Sequence, residues 1–365
     1  MRIKNLMLVL PLSAALVFGV AACSSDSSDD GGSGSGSSSL SGQIAGAGAS
    51  SQEAAMQAWI ANFQTDNPDV TISYDPVGSG GGREQFVAGA TPFGGTDAAM
   101  EGSELKGAQD RCGGVDNYVE IPVYVSPIAV AYNLDGVDDL NLTADTLAKI
   151  MKGDITTWND QAIANENPDA DLPDTRITPV HRSDESGTTE NFVGYLSQAA
   201  PDVWDYPVDG NWPVKGGEAA QGTSGVISAI KQGSGTIGYA DLSQVGDLNS
   251  VNIGVGGEFV APSAEAAAEI FSVSKQVEGE GKYVFAYDLD RSTVEKGIYP
   301  ISLVSYEMAC TKYDSESDGT LVQAFYDYIA SEDGQNAAAE AAGSAPITSE
   351  LRNQIQPAID AIGSN

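Results

Sequence analysis

Two long β-rich runs limit what this chain can become. Residues 119–132 and 299–309 are dense in Val, Ile, Tyr and Leu, and both exceed the usual strand of about 5–6 residues. Around them shorter strand and helix patterns alternate. Val70, Ile72 and Tyr74 alternate as in a half-buried strand, whereas Met56, Trp59, Ile60 and Phe63 recur at the i, i+3, i+4, i+7 spacing of one helix face. Further helices are expected over 143–157, 261–277, 321–342 and 349–362, with strands at 93–97 and 236–242. Such alternation predicts an α/β protein with mainly parallel sheets. The two long runs bracket the middle of the chain, which suits two α/β domains joined by crossover strands. The first domain combines residues 40–125 with 304–365, and the second holds 126–303.

The N-terminus has the pattern of a targeting segment. Arg2 and Lys4 precede an apolar run from Leu6 to Val20 that Pro11, Ser13 and Gly19 interrupt. It is too short to span a bilayer comfortably and has the form of a signal peptide over residues 1–22. Val20-Ala21-Ala22-Cys23 resembles the lipidation site of bacterial lipoproteins, with Cys23 as the acylated residue. A plain secreted protein is the alternative. Residues 23–39, rich in Gly, Ser and Asp, have nothing to bury and form a flexible tether. In an exported chain the remaining cysteines, Cys112 and Cys310, suggest a disulfide. Two buried free thiols are the other reading.

The formal net charge of −34 repels nucleic acid and anionic lipid. An anion site on such a chain must work through local donors. Candidates exist where hydroxyl residues stand at helix starts: Ser50 and Ser51, Ser79, and Ser186 with Thr188. The stretch from Pro179 to Leu196 is the richest, placing Arg182, Asp184, Ser186, Gly187 and Thr188 in one turn before a helix that starts near Thr188 or Thr189. Alone, it is equally an ordinary capped helix with a surface ion pair. Three such units, with Asp97 ending a strand, suggest helix N-termini converging on one anion. Gly80, Gly81, Gly82 and Gly187 would let backbone N–H groups approach it.

Other chemistries fit poorly. The run from Gly233 to Gly238 matches G-x-G-x-x-G, but it follows a helix and precedes a strand, the reverse of the dinucleotide fingerprint. His181 is the only histidine, so multi-histidine metal sites are excluded. No G-x-S-x-G elbow accompanies it. Trp158, Trp204 and Trp212 read as core anchors. No metal, cofactor or catalytic residue is expected.

Six segments carry a family resemblance: GAGAS at 46–50, VGSGGG at 77–82, GGTDAAM at 94–100, KGDITTWND at 152–160, HRSDESGTTENF at 181–192 and GTIGYADL at 235–242. In these the chain resembles the phosphate-binding proteins of bacterial phosphate ABC transporters, the PstS type of the periplasmic-binding-protein family, over essentially its whole mature length. The resemblance implies a two-lobed periplasmic-binding-protein-like fold of type II. It places the phosphate ligands on Ser50, Ser51, Ser79, Asp97, Arg182, Asp184, Ser186, Gly187 and Thr188. In this reading Arg182 supplies the positive fork, Asp184 holds that fork, and Asp97 accepts a hydrogen bond from the proton that hydrogen phosphate carries and sulfate lacks. The chain departs from the family in having Ser50-Ser51 where Thr-Phe is frequent, and Glu185 where glycine is usual. Glu185 is expected to face outward. The implied partners are inorganic phosphate and the permease subunits and ATPase of an importer. The implied setting is a monomeric receptor, anchored by lipid to the outer face of the cell membrane. A receptor for another tetrahedral oxyanion, or an exported hydrolase on the same scaffold, are the competing functions.

Overall fold

The computed structural model describes residues 40–364; the signal-peptide, tether and Cys23 expectations lie outside them. Its central element is the strand Tyr118–Asn133, buried along its length except at Asn133. A strand covered on both faces reads as a near-continuous apolar run rather than an alternating one, which is why this segment stands out in the sequence. Up to Pro127 it pairs antiparallel with Ser302–Cys310; from Ile128 it pairs antiparallel with Thr236–Asp241. One strand therefore belongs to both lobes. Beyond Ser302–Cys310 the sheet continues through Phe93–Thr96 and Gly42–Gly48 to Val70–Asp75. Beyond Thr236–Asp241 it continues through Thr178–Arg182 to Glu218–Ala220.

The flanking strands are parallel, as strand–helix–strand units require. The central pairings are antiparallel, so the sheet is mixed rather than mainly parallel. The reason is the crossover: the chain leaves the first lobe along one long run and returns along the other. The ladder between these two runs slips at Ser305 and Tyr306, which face Tyr124 and Pro122 and leave Val123 unpaired. Pro122 has no N–H to give, and a bulge absorbs that gap while re-aiming neighbouring side chains.

Each lobe packs its helices on this sheet. In the first, Trp59, Phe63, Phe93, Phe325 and Tyr326 are buried together, and the Trp59 indole donates to the Gly334 carbonyl at 2.7 Å. In the second, Val180, Val226, Ile230 and Ala240 fill one face of the sheet, and Trp158 and Trp204 are buried in the main core. The helix expected over 321–342 is two helices, Glu316–Ala330 and Glu332–Ala342. Ser331 ends the first and caps the second, its Oγ accepting from Gly334 N at 3.0 Å. Residues 261–277 form the short helices Ala264–Ala268 and Ile270–Val273, each burying a single side chain, Ala267 and Ile270, and then the strand Lys275–Gln276. Too little apolar surface is available there to hold a longer helix. Among the described residues no helix is long and apolar enough to cross a membrane.

Cys112 and Cys310 are joined, with Cα atoms 5.2 Å apart and a sequence separation of 198. The bridge ties the end of the helix Gly102–Arg111 to the end of a hinge strand. A cross-link closing so long a loop restricts the unfolded chain strongly. Replacing both cysteines by serine is expected to lower stability by about 2–5 kcal/mol, read as a lower urea midpoint; an unchanged midpoint would show that the bridge is dispensable.

Candidate functional site

Helix N-termini carry backbone N–H groups without acceptors, and two of them meet in the cleft. The helix Ser79–Val87 begins directly after Gly78, whose φ of 98° few other residues adopt. The glycines at 80–82 lie inside this helix, not in a turn before it. Its first intrahelical bond runs from Gly82 N to Gly78 O at 2.9 Å, which leaves the N–H groups of Ser79, Gly80 and Gly81 free of helical partners. In the other lobe the helix Gly187–Ala199 follows Ser186, whose Oγ accepts from Thr189 N at 3.3 Å. The helix thus starts one residue earlier than its sequence pattern suggested. A Cβ on Gly187 would lie 2.7 Å from Ser79 Oγ and 2.8 Å from Asp97 Cβ. Only glycine lets the two helix starts approach this closely.

Asp97, 2% exposed, is the centre of the arrangement. Its carboxylate accepts from Ser51 Oγ at 2.6 and 2.7 Å, from Thr188 Oγ1 at 2.9 Å and from Ser305 Oγ at 2.6 Å. Its backbone N–H donates to Ser79 Oγ at 3.2 Å, and its carbonyl accepts from Asn191 Nδ2 at 2.7 Å. Ser51, Ser79, Asp97, Gly187 and Thr188 are therefore in mutual reach.

Arg182, 3% exposed, approaches from the strand Thr178–Arg182. Its Nε and Nη2 donate to the two oxygens of Asp184 at 2.9 and 2.5 Å, and Asp184 also accepts from Gly222 N at 3.0 Å. Burial alone would raise the Asp184 pKa, but the hydrogen bonds and charge of Arg182 outweigh it and hold it below the ordinary value. The guanidinium lies against Gly78, since a Cβ there would be 3.3 Å from Nη2. Ser50 stands apart from the Asp97 group. Its Oγ is 3.0 Å from Thr223 Oγ1 and accepts from Thr223 N at 3.2 Å.

Several expectations need correction. Neither Ser50 nor Ser51 caps the helix Glu53–Asp66; Gln52 occupies that position without a side-chain bond. Both serine hydroxyls are used across the cleft or on Asp97 instead. Glu185 does not face outward. It crosses to the other lobe and bonds Arg83 Nη2. Burial and the loss of hydration it brings raise the Glu185 pKa, with Arg83 opposing. Sequence reasoning also missed Thr223, Ser305 and Gln244, whose Nε2 donates to Ser50 O at 2.7 Å. Thr223 carries the same signal as the others, a hydroxyl at a helix start. Ser305 carries none, because it sits within a continuous β run and is aimed by the bulge beside it.

His181 stacks on Trp212 with ring centroids 5.3 Å apart, and its nitrogens lie 2.9 Å from Arg182 O and 3.1 Å from Gly216 O. Neither nitrogen is directed at a serine. Among the described residues no His, Cys, Asp and Glu cluster is arranged to hold a metal ion.

Comparison with known proteins gives a consistent set of relatives. Residues 33–333 match the family described as a PBP superfamily domain. Phosphate-binding protein PstS 3 of Mycobacterium tuberculosis is 34% identical over 99% of this chain and 100% of its own length. Among solved structures, a high affinity periplasmic phosphate-binding protein, PfluDING, bound with phosphate, superposes with a TM-score of 0.71 at 20% identity, covering 86% of this chain and 93% of its own. A phosphate-binding protein from Stenotrophomonas maltophilia gives 0.66 at 18% identity, covering 87% and 94%.

Three further carboxyls are buried around the cleft and hinge. Burial raises Glu120 to about 8, against the bond from Met100 N, and Asp241 to about 7, against bonds from Ser243. It also raises Glu307 well above the ordinary value. Unfolded carboxyls titrate near about 4, so from there up to about 8 the folded chain binds more protons than the unfolded one. Stability then falls as pH rises through that window. The melting temperature is expected to be higher near about pH 5.5 than near about pH 8.5, and Glu120→Gln is expected to flatten the slope. A melting temperature that climbs across the window would overturn this account.

Proposed function

The chain belongs to the PstS-type phosphate-binding proteins of the PBP superfamily, and we propose that it binds inorganic phosphate between its lobes and delivers it to an ABC importer. The observation that carries this reading is the meeting of two helix N-termini around Asp97, with Arg182 alongside. A dehydrated tetrahedral anion needs many donors and few full charges. Here the donors would be the N–H groups at Ser79, Gly187 and Thr188, and the hydroxyls of Ser50, Ser51, Ser79, Ser186 and Thr188. Arg182 Nη1, which has no acceptor among the described residues, would supply the charged bond. Asp184 positions that fork and need not touch the ligand. Charge-assisted bonds of about 1.5–3 kcal/mol each suffice for micromolar affinity, about −8 kcal/mol.

Asp97 gives the site its selectivity in this reading. Ser51 and Thr188 release the carboxylate and turn their hydroxyls toward the anion, and the carboxylate then accepts a hydrogen bond from the P–OH of hydrogen phosphate. Sulfate carries no such proton at neutral pH and would face a buried acceptor unpaired. The lobes are assigned as residues 40–125 with 304–365 and residues 126–303, the strand exchange between Pro127 and Ile128 serving as the hinge. Closure about that hinge presents a liganded shape to the permease. The mature receptor acts as a monomer outside the cytoplasm, tethered by a lipid on Cys23, and performs no catalysis. The His181 ring stacks on Trp212 and directs neither nitrogen at a serine, which supports binding over hydrolysis.

Titration calorimetry with phosphate and sulfate tests the reading. Phosphate is expected to bind and sulfate to be rejected; Arg182→Ala is expected to lose about 2–5 kcal/mol of binding. Asp97→Asn is expected to admit sulfate. Equal affinities for the two anions in the unmodified protein would remove the selectivity argument, and no heat with phosphate would remove the function.

A further inference from the structure

Arg83 is an unusual residue to find behind an anion site. It lies one turn after Ser79 on the same helix and is 4% exposed. Three carboxylates surround its guanidinium. Nε is 3.0 Å from Glu104, Nη2 bonds Glu185, and Nη1 is 3.9 Å from Glu190. Nη1 also donates to Thr96 Oγ1 at 3.0 Å, next to Asp97. Glu104 and Thr96 belong to the lobe of Arg83. Glu185 and Glu190 flank Ser186 and the start of the helix Gly187–Ala199 in the opposite lobe.

Backbone space on both sides is shaped for this contact. A Cβ on Gly80 would overlap the Glu185 carboxylate, and a Cβ on Gly210 would lie 2.9 Å from its Oε1. Gly210 O in turn accepts from Ser186 N at 3.0 Å. Glu185 thus reaches over the N-terminal turn of the facing helix through a gap that only glycine leaves open.

We propose that Arg83 and Glu185 form a latch across the cleft that sets how long the closed lobes hold phosphate. The proposal rests on the phosphate-binding reading given above. Glu104 and Thr96 keep the guanidinium in place when the lobes separate, so closure does not have to order it again. Of the other contacts across the cleft, Ser50 with Thr223, Gln244 with Ser50 O, and Thr188 and Asn191 with Asp97 join neutral groups or the Asp97 carboxylate, while Glu190 stands 3.9 Å from Arg83 Nη1, beyond hydrogen-bond distance. Arg83 with Glu185 joins two opposite charges away from the anion's own ligands. Breaking it leaves the ligand's donors intact while weakening closure. The effect therefore falls on the dissociation rate and not on encounter.

Stopped-flow measurement of phosphate association and dissociation tests the latch. Glu185→Gln is expected to raise the dissociation rate about 10-fold, equivalent to about 1.4 kcal/mol, with association within about twofold of the unmodified protein. Arg83→Met is expected to give a similar change, and the double variant no more than either single one. Thermal melts identify a variant that fails to fold; Glu185→Gln, at a half-buried position, keeps the test available if Arg83→Met does. A dissociation rate unchanged in Glu185→Gln, or additive effects in the double variant, would overturn the latch. If the unmodified protein does not bind phosphate, the functional reading fails, and small-angle scattering still decides the latch. Glu185→Gln is expected to enlarge the ligand-free radius of gyration, and an unchanged radius would overturn it.

Discussion

The Asp97 carboxylate is buried, and among the described residues no cation bonds it. Its partners are hydroxyls from three parts of the molecule: Ser51 in the first lobe, Thr188 in the second and Ser305 on a hinge strand. Stripping water from a carboxylate is costly unless hydrogen bonds replace it. With the lobes apart, Thr188 is lost and water must enter. Lobe contact and the solvation of Asp97 are therefore one event. In the proposed reading, a ligand that enters the cleft takes over part of the work of those hydroxyls, which calls for a donor on the ligand.

The fold brings the three parts together through two long strands. Tyr118–Asn133 gives one half of itself to each lobe, and Ser302–Cys310 delivers Ser305 at the bulge opposite Pro122 and Tyr124. Two further carboxyls lie near this point. Burial raises the pKa values of Asp241, to about 7, and of Glu307, and the charge of Asp97 adds to both shifts. The Arg182–Asp184 pair reaches further, tying the cleft to the start of the helix Gly222–Gln232 through Gly222 N.

Local features of this architecture were legible in the sequence, and features made by distant chain contacts were not. The two long runs announced strands buried on both faces, and the helix starts at Ser79 and Ser186 carried glycine and hydroxyl signals within a few residues. Antiparallel pairing of the long runs was not written in either of them, since it depends on where the chain returns. Ser50 and Ser51 looked like ordinary caps because capping is a local rule; their hydroxyls went to Thr223 and Asp97, far away in sequence. Ser305 had no local mark at all. Glu185 was misread for the same reason. Nothing in its sequence neighbourhood marks its partner, Arg83, which lies 102 residues away.

The acidic surface sharpens what the cleft must do. At physiological ionic strength exposed charges are screened over about 8 Å, so the net charge of −34 acts weakly inside a closed cleft. Nor does the cleft hold a surplus of positive charge. Arg182 is matched by Asp184, and Arg83 faces three carboxylates. A cradle built on net positive charge would accept any anion of the right size, because Coulomb attraction carries no information about protons. Directed N–H and O–H groups, together with one fixed acceptor, respond to where the ligand's own hydrogens are. In the proposed phosphate-binding reading, a cleft without surplus positive charge is the physical condition under which Asp97 would tell a protonated oxyanion from one that has none.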